Sequence, residues 1–280
     1  MDELDEIETV LDGIAPESRE QMYKIVRDTG LSAVGVFTIS DSGSGEELDL
    51  VGSGTLVSIS GRHYILTARH VWEERPRFAQ KLSMTIRTKT SHCFPIGIET
   101  IAAFGPTGSK QWGEIGPDIV LLSIPDAYVG SIEAAGRVFY NLSIPEPQVP
   151  SGDRLVISML IGAPKSMGIF SRQHASIQMR GSEATIRNQF DNGGFDYLDA
   201  VVNVSDLPGE QSLGGVSGGG LWRVALYKSS QGTGIETIAT MQGVAFWEFP
   251  VSSGHRMVRC HGMGSIQRAM TYVENMDVVR

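Results

Sequence analysis

From residue 31 onward the chain is cut by turn residues into short runs rich in β-branched and aromatic side chains. This punctuation limits the fold more than any other feature. Strands are expected at 33–39, 50–59, 63–67, 82–88, 95–103 and 118–124, with joints such as Asp41-Ser42-Gly43-Ser44-Gly45, Ser60-Gly61-Arg62 and Gly116-Pro117. A second set is expected at 154–161, 175–179, 184–188, 197–204, 219–227, 235–247 and 257–261. Between the sets, Ile144-Pro145-Glu146-Pro147-Gln148-Val149-Pro150-Ser151-Gly152 holds three of the twelve prolines and reads as an extended connector, which puts a domain boundary near Pro150. Many short strands with few helices predict an all-β barrel or sandwich. Helical spacing is confined to the flanks. It occurs in residues 1–30, where Leu4, Ile7, Val10 and Leu11 precede a second helix opened by Pro16, and in residues 264–275, where Ile266, Ala269, Met270 and Val273 share a face.

Charge separates the first of those flanks from the rest. Eight acids and one base give residues 1–20 a net charge of −7 out of −9 for the 280-residue chain. The simpler reading is a solvated helix pair capping the fold; the functional alternative is a docking or regulatory arm for a partner. No Lys/Arg stripe could track a phosphate backbone, so nucleic acid is not an expected partner. No apolar run approaches the roughly 20 residues that span a bilayer, and the acidic start Met1-Asp2-Glu3 does not read as an export signal. A cytoplasmic protein that does not engage membranes is expected. Cys93 and Cys260 are too few for a disulfide framework, and no clustered spacing suits a metal. Both read as buried thiols.

Chemistry concentrates in three places. Leu213-Gly214-Gly215-Val216-Ser217-Gly218-Gly219-Gly220 sets five glycines around one serine, which frees the backbone for positive φ and close approach to a ligand. Alone it reads as a hairpin loop. His70 follows the apolar run Tyr64-Ile65-Leu66-Thr67-Ala68, and Asp118 opens Asp118-Ile119-Val120-Leu121-Leu122. Alone, these read as a structural histidine and a turn carboxylate. Ser212 and His63 are weaker candidates, since neither has the surrounding pattern.

Together the segments resemble the chymotrypsin-like (trypsin fold) serine peptidases, in an intracellular bacterial-type form without disulfides. The matching pieces are Leu66-Thr67-Ala68-x-His70, Asp118-Ile119-Val120-Leu121-Leu122, Gly215-x-Ser217-Gly218-Gly219 and Met241-Gln242-Gly243-Val244-Ala245-Phe246-Trp247. The order His, Asp, Ser and the separations of 48 and 99 residues agree as well. The resemblance implies two six-stranded antiparallel β-barrels with the active site in the cleft between them. Residues 31–145 would carry His70 and Asp118, residues 150–280 would carry Ser217 and a C-terminal helix, and residues 1–30 would be a helical extension. It implies a serine endopeptidase acting on protein or peptide substrates through an acyl-enzyme, with no cofactor or metal. His70 would be the general base, Asp118 would fix its tautomer, and the Gly215 and Ser217 amides would form the oxyanion hole.

Departures from the pattern sharpen these expectations. Val71 and Leu213 stand where secreted relatives carry half-cystines, and Val216 stands where zymogen-type relatives carry an aspartate that pairs with a new amino terminus. Disulfides and cleavage-driven activation are therefore not expected. The resemblance implies that Gln211 would fall at the base of the primary specificity pocket, Phe246 and Trp247 beside the substrate, and Glu248 at the pocket wall, where it would either narrow the pocket or pair with a basic side chain. Two alternatives from other classes are an inactive protease-fold scaffold that binds a partner through the acidic helices, and a purely structural β protein.

Overall fold

A computed structural model describes residues 24, 27–41, 46–75, 81–86, 92–106, 113–147, 154–170, 175–177, 180–202, 213–228, 235–250 and 256–277. Its first half contains β1 (Ala33–Asp41), β2 (Glu46–Ile59), β3 (Arg62–Thr67), α1 (Arg69–Glu73), β4 (Lys81–Ile86), β5 (His92–Gly97), β6 (Ala103–Phe104), β7 (Val120–Ser123), α2 (Asp126–Ala134) and β8 (Tyr140–Asn141). The second half contains β9 (Arg154–Gly162), β10 (Gly168–Phe170), β11 (Ala175–Ile177), β12 (Arg180–Asn192), β13 (Phe195–Val202), β14 (Gly220–Lys228), β15 (Ile235–Glu248), β16 (Arg256–Gly262) and α3 (Met263–Asp277).

The chain is mostly β, as its punctuation predicts. In the second half six strands close into a barrel in the order β12-β13-β16-β15-β14-β9. The first half differs from the expected six-stranded barrel. It forms one eight-stranded sheet, a half-barrel with the path β5-β4-β1-β2-β3-β7-β6 and β8 added in parallel to β2. The expected strand over 95–103 is broken because the chain takes one 3₁₀ turn at Ile98–Thr100, and the Thr100 hydroxyl donates to the Gly97 carbonyl at 2.8 Å. The expected N-terminal helices lie outside the described residues, except for helical Lys24 and 27–30. No helix among the described residues is long and apolar enough to cross a membrane.

Two of the apolar clusters join the halves. One packs Val34, Leu56, Ile65 and Val120 of the first sheet with Phe195, Tyr197 and Phe246 of the barrel. Another packs Tyr64, Leu66, Ile119 and Leu121 with Trp222, Met241 and the α3 residues Ile266, Ala269 and Val273. A third fills the barrel itself, and it includes Leu213 and Val216 beside Leu160, Leu198, Leu221 and Val258. Each such side chain contributes about 1.5–3 kcal/mol by leaving water, so the loop between Leu213 and Val216 is anchored at both shoulders.

Candidate active site

Asp118 sits just before β7, is 3% exposed, and spends both carboxylate oxygens on one residue. Its Oδ1 accepts the His70 backbone amide at 2.9 Å, and its Oδ2 lies 2.6 Å from His70 Nδ1. Two bonds to backbone and ring fix both where the imidazole is attached and how it is turned. The short helix α1 begins with Arg69 after the buried Ala68, so His70 leaves the sheet edge from a rigid turn and stays half-buried. Burial disfavours the charged ring. The hydrogen bond that the ring donates to Asp118 and the charges of Asp118 and Glu74 outweigh it, and the pKa is raised above the ordinary 6.5.

The backbone of Asp118 is held from the other half of the molecule. Its amide is shared between the Gly116 carbonyl at 2.8 Å and His261 Nε2 at 3.1 Å, while the Tyr197 hydroxyl meets both the amide and the carbonyl of Gly116. His261 is fully buried on β16, with its ring 4.3 Å from that of Phe246 and nearly parallel to it. Burial pushes its pKa down to about 4, against the raising influence of Asp118, Asp196 and the Gly116 backbone. The ring is neutral near pH 7.

Ser217 lies in the glycine-rich turn where β14 begins, pressed against β2. The Ser53 amide donates to the Ser217 carbonyl at 2.7 Å, and the Gly218 amide donates to the Ala245 carbonyl at 2.7 Å. Gly218, at φ +89°, has no room for a side chain: a Cβ there would strike the Ser53 carbonyl and the Thr67 hydroxyl. A Cβ on Gly52 would lie 2.5 Å from Val71 Cγ2 and 2.9 Å from the Ser217 carbonyl oxygen. The residue after His70 and the backbone of Ser217 therefore flank the same glycine. A bulge at Val51 in the β1–β2 pairing bends the strand at this point.

Peptide orientation in this turn is set from behind. The Gly214 carbonyl accepts the Lys165 amide at 2.7 Å, and the Val216 carbonyl accepts the Gly219 amide at 2.7 Å. Because a trans peptide points its N–H opposite to its C=O, the Gly215 and Ser217 amides are directed away from those partners. The amides of Val216 and Gly218 donate to the Leu213 and Ala245 carbonyls, whereas among the described residues no acceptor is bonded to the amides of Gly215 and Ser217.

Of the other expected site residues, Phe246, Trp247 and Glu248 are described. Phe246, expected beside the substrate, is 1% exposed, because it is the extra residue of a bulge in the β15–β16 pairing and its ring turns into the core between the halves. Trp247 is half-buried against the same core. Glu248 Oε1 accepts from Arg256 at 2.8 Å and from the Leu213 amide at 3.2 Å. Gln211 lies outside the described residues. His63 packs edge-on against Phe139 at 4.5 Å, at the far end of β3 from His70. Sequence reasoning assigned no role to Ser53, Lys165, Tyr197 or His261. The available signal was Gly52-Ser53-Gly54 in mid-strand, where small residues mark close backbone approach.

No family model matches the chain, and no curated protein does. Among solved structures, a chain from a study titled "Aromatic interactions drive the coupled folding and binding of the intrinsically disordered Sesbania mosaic virus VPg protein" is similar. It is 17% identical, the match covers 83% of this chain and 86% of that chain, and the TM-score is 0.41.

Proposed function

We propose that the protein is a serine endopeptidase of the chymotrypsin-like type, with Ser217, His70 and Asp118 as its triad. The observation that carries the reading is the paired grip of Asp118 on the ring and backbone of His70, in a chain whose glycine-rich serine turn abuts the same strand end. With Nδ1 committed to the carboxylate, Nε2 is the ring atom that takes a proton. The Ser217 hydroxyl attacks the substrate carbonyl, and His70 takes its proton and passes it to the leaving amine. Water then releases the acyl-enzyme by the same route in reverse. The Gly215 and Ser217 amides stabilise the tetrahedral oxyanion, since they face away from the partners of their own peptides.

Substrate would lie between the eight-stranded sheet, read here as the counterpart of the family's first barrel, and the closed barrel. Arg256 already neutralises Glu248, so small uncharged P1 residues are favoured over basic ones. The apolar burial of Val71 and Leu213 and the free, buried thiol of Cys260 suit a reducing compartment such as the cytoplasm. Treatment with a peptidyl phosphonate followed by peptide mapping tests the reading. A covalent adduct on Ser217 is expected, absent in His70→Ala; no adduct on the folded wild-type protein overturns it.

A further inference from the structure

We infer that the Ser53 hydroxyl is a positioning group for the oxyanion donors, holding the serine turn in its donor-inward form without chain cleavage. The inference rests on the endopeptidase reading and deepens it. Ser53 is fully buried on β2, and each of its polar groups is used at short range. Its Oγ donates to the Gly215 carbonyl at 2.6 Å and accepts the Ala163 amide at 2.8 Å. Its amide holds the Ser217 carbonyl at 2.7 Å, and its own carbonyl accepts the Thr67 hydroxyl at 2.7 Å.

The consequence for the donors follows from peptide geometry. The Gly215 amide belongs to the Gly214–Gly215 peptide, whose carbonyl is held by the Lys165 amide. The next peptide, Gly215–Val216, is held through its carbonyl by Ser53. Ser53 also fixes Ala163, two residues before Lys165, so one hydroxyl ties the turn to the segment that orients it. A Cβ on Gly215, at φ +94°, would lie 2.8 Å from the Ala163 carbonyl and 3.0 Å from the Lys165 amide, so turn and segment touch with no side chain between them. On the other side Val216 fills the barrel core and carries no charge to be paired. The donors are thus oriented by a clamp of neutral hydrogen bonds that exists in the intact chain.

Removing the hydroxyl in Ser53→Ala leaves the Ala163 amide and the Gly215 carbonyl without this partner and loosens the Gly215 peptides. Loss of a whole donor from such a hole costs about 100- to 1,000-fold, so loosening one is expected to lower kcat by about 10- to 100-fold. KM should stay within about 2-fold, because ground-state binding does not use the hole. Binding of a peptide aldehyde, whose hemiacetal oxygen meets the same donors, should weaken in parallel with kcat, while the matching product peptide binds as before. Ser53→Thr, which retains an Oγ, should recover activity.

A folded Ser53→Ala protein with wild-type kcat and aldehyde affinity overturns the inference, as does a loss confined to KM. If Ser53→Ala does not fold, Lys165→Pro removes both the amide that holds Gly214 and the side chain that pairs with Asp49, and Lys165→Ala removes that side chain alone. Loss of kcat in the first variant alone supports the clamp, and equal kcat in both overturns it. Wild-type protein that reacts with neither aldehyde nor phosphonate refutes the enzyme reading and this role with it. Wild-type protein that reacts, beside a Ser53→Ala variant that reacts equally, refutes the role of Ser53 alone.

Discussion

Acid should unfold this protein through His261. In the unfolded chain its imidazole takes up a proton below about 6.5, whereas in the fold it does so only near 4. Over that window the unfolded state binds more protons, so stability falls as pH falls. A difference between 6.5 and about 4 amounts to about 3 kcal/mol at 1.4 kcal/mol per unit, a large share of the stability of an ordinary domain. The charged ring would sit among Phe246, Tyr197 and Phe195, and Asp118, Asp196 and the Gly116 backbone that favour it do not offset its burial. His261→Phe keeps a flat aromatic ring, slightly larger than the imidazole, and removes the proton site. It forfeits one bond to the Asp118 amide, which keeps the Gly116 carbonyl, so a cost of about 1 kcal/mol is expected near pH 7. Near pH 4 the variant should become the more stable of the two. Urea unfolding followed by tryptophan fluorescence, at intervals between about pH 4 and pH 7, measures both lines. Parallel lines, separated by a constant amount within about 1 kcal/mol, would refute the assignment of acid lability to this ring.

Three further outcomes are expected. Hydrolysis should fall on acidification with an inflection above 6.5, because His70 must be neutral to accept a proton and its pKa is raised; an inflection of kcat/KM below 6.5 would contradict the Asp118 pairing. Asp118→Asn should retain the fold and lower kcat by about 10,000-fold through the wrong His70 tautomer, while Ser217→Ala and His70→Ala abolish turnover; near-wild-type rates in any of the three would be incompatible with the triad. Gly218→Ala should lower stability by at least about 1–2 kcal/mol, the usual cost of positive φ, with a further loss from collision with Ser53 and Thr67, and an unchanged melting temperature would mean that the turn is not pressed against β2.

What could be read from the sequence was local. Alternation and turn chemistry located most strands of both halves but not the short β8 and β10, and β12 was read only over 184–188 because its ends, 180–183 and 189–192, are mostly polar. The helix α2 was missed although Pro125 precedes it and Gly136, at φ +83°, follows it, since nine residues with one buried side chain carry little periodicity. Closure of one sheet and not the other depends on pairings between distant strands, which no local pattern encodes. The site shows the same division. His70, Asp118 and Ser217 stand in distinctive local runs. Ser53 and His261 gain their roles only from Gly215 and Asp118, which are 162 and 143 residues away in the chain. For Glu248 the sequence left open whether it narrows a pocket or pairs with a basic side chain, and no local pattern shows that Arg256 lies against it.

The way β16 and α3 pack across the first sheet also bears on when the site can come into being. Asp118 is emerging from the ribosome long before His261 is made, and until then its amide lacks that support. Ile266, Ala269 and Val273 of α3 cover the same sheet residues, Leu66 and Leu121, that flank the segments carrying His70 and Asp118. A nascent first half therefore holds a histidine and an aspartate without the buttress that aligns them, and the serine turn has not been synthesised. On the endopeptidase reading, activity would wait for nearly complete synthesis of the second half, which would spare the growing chain and its neighbours from a nucleophile armed too early.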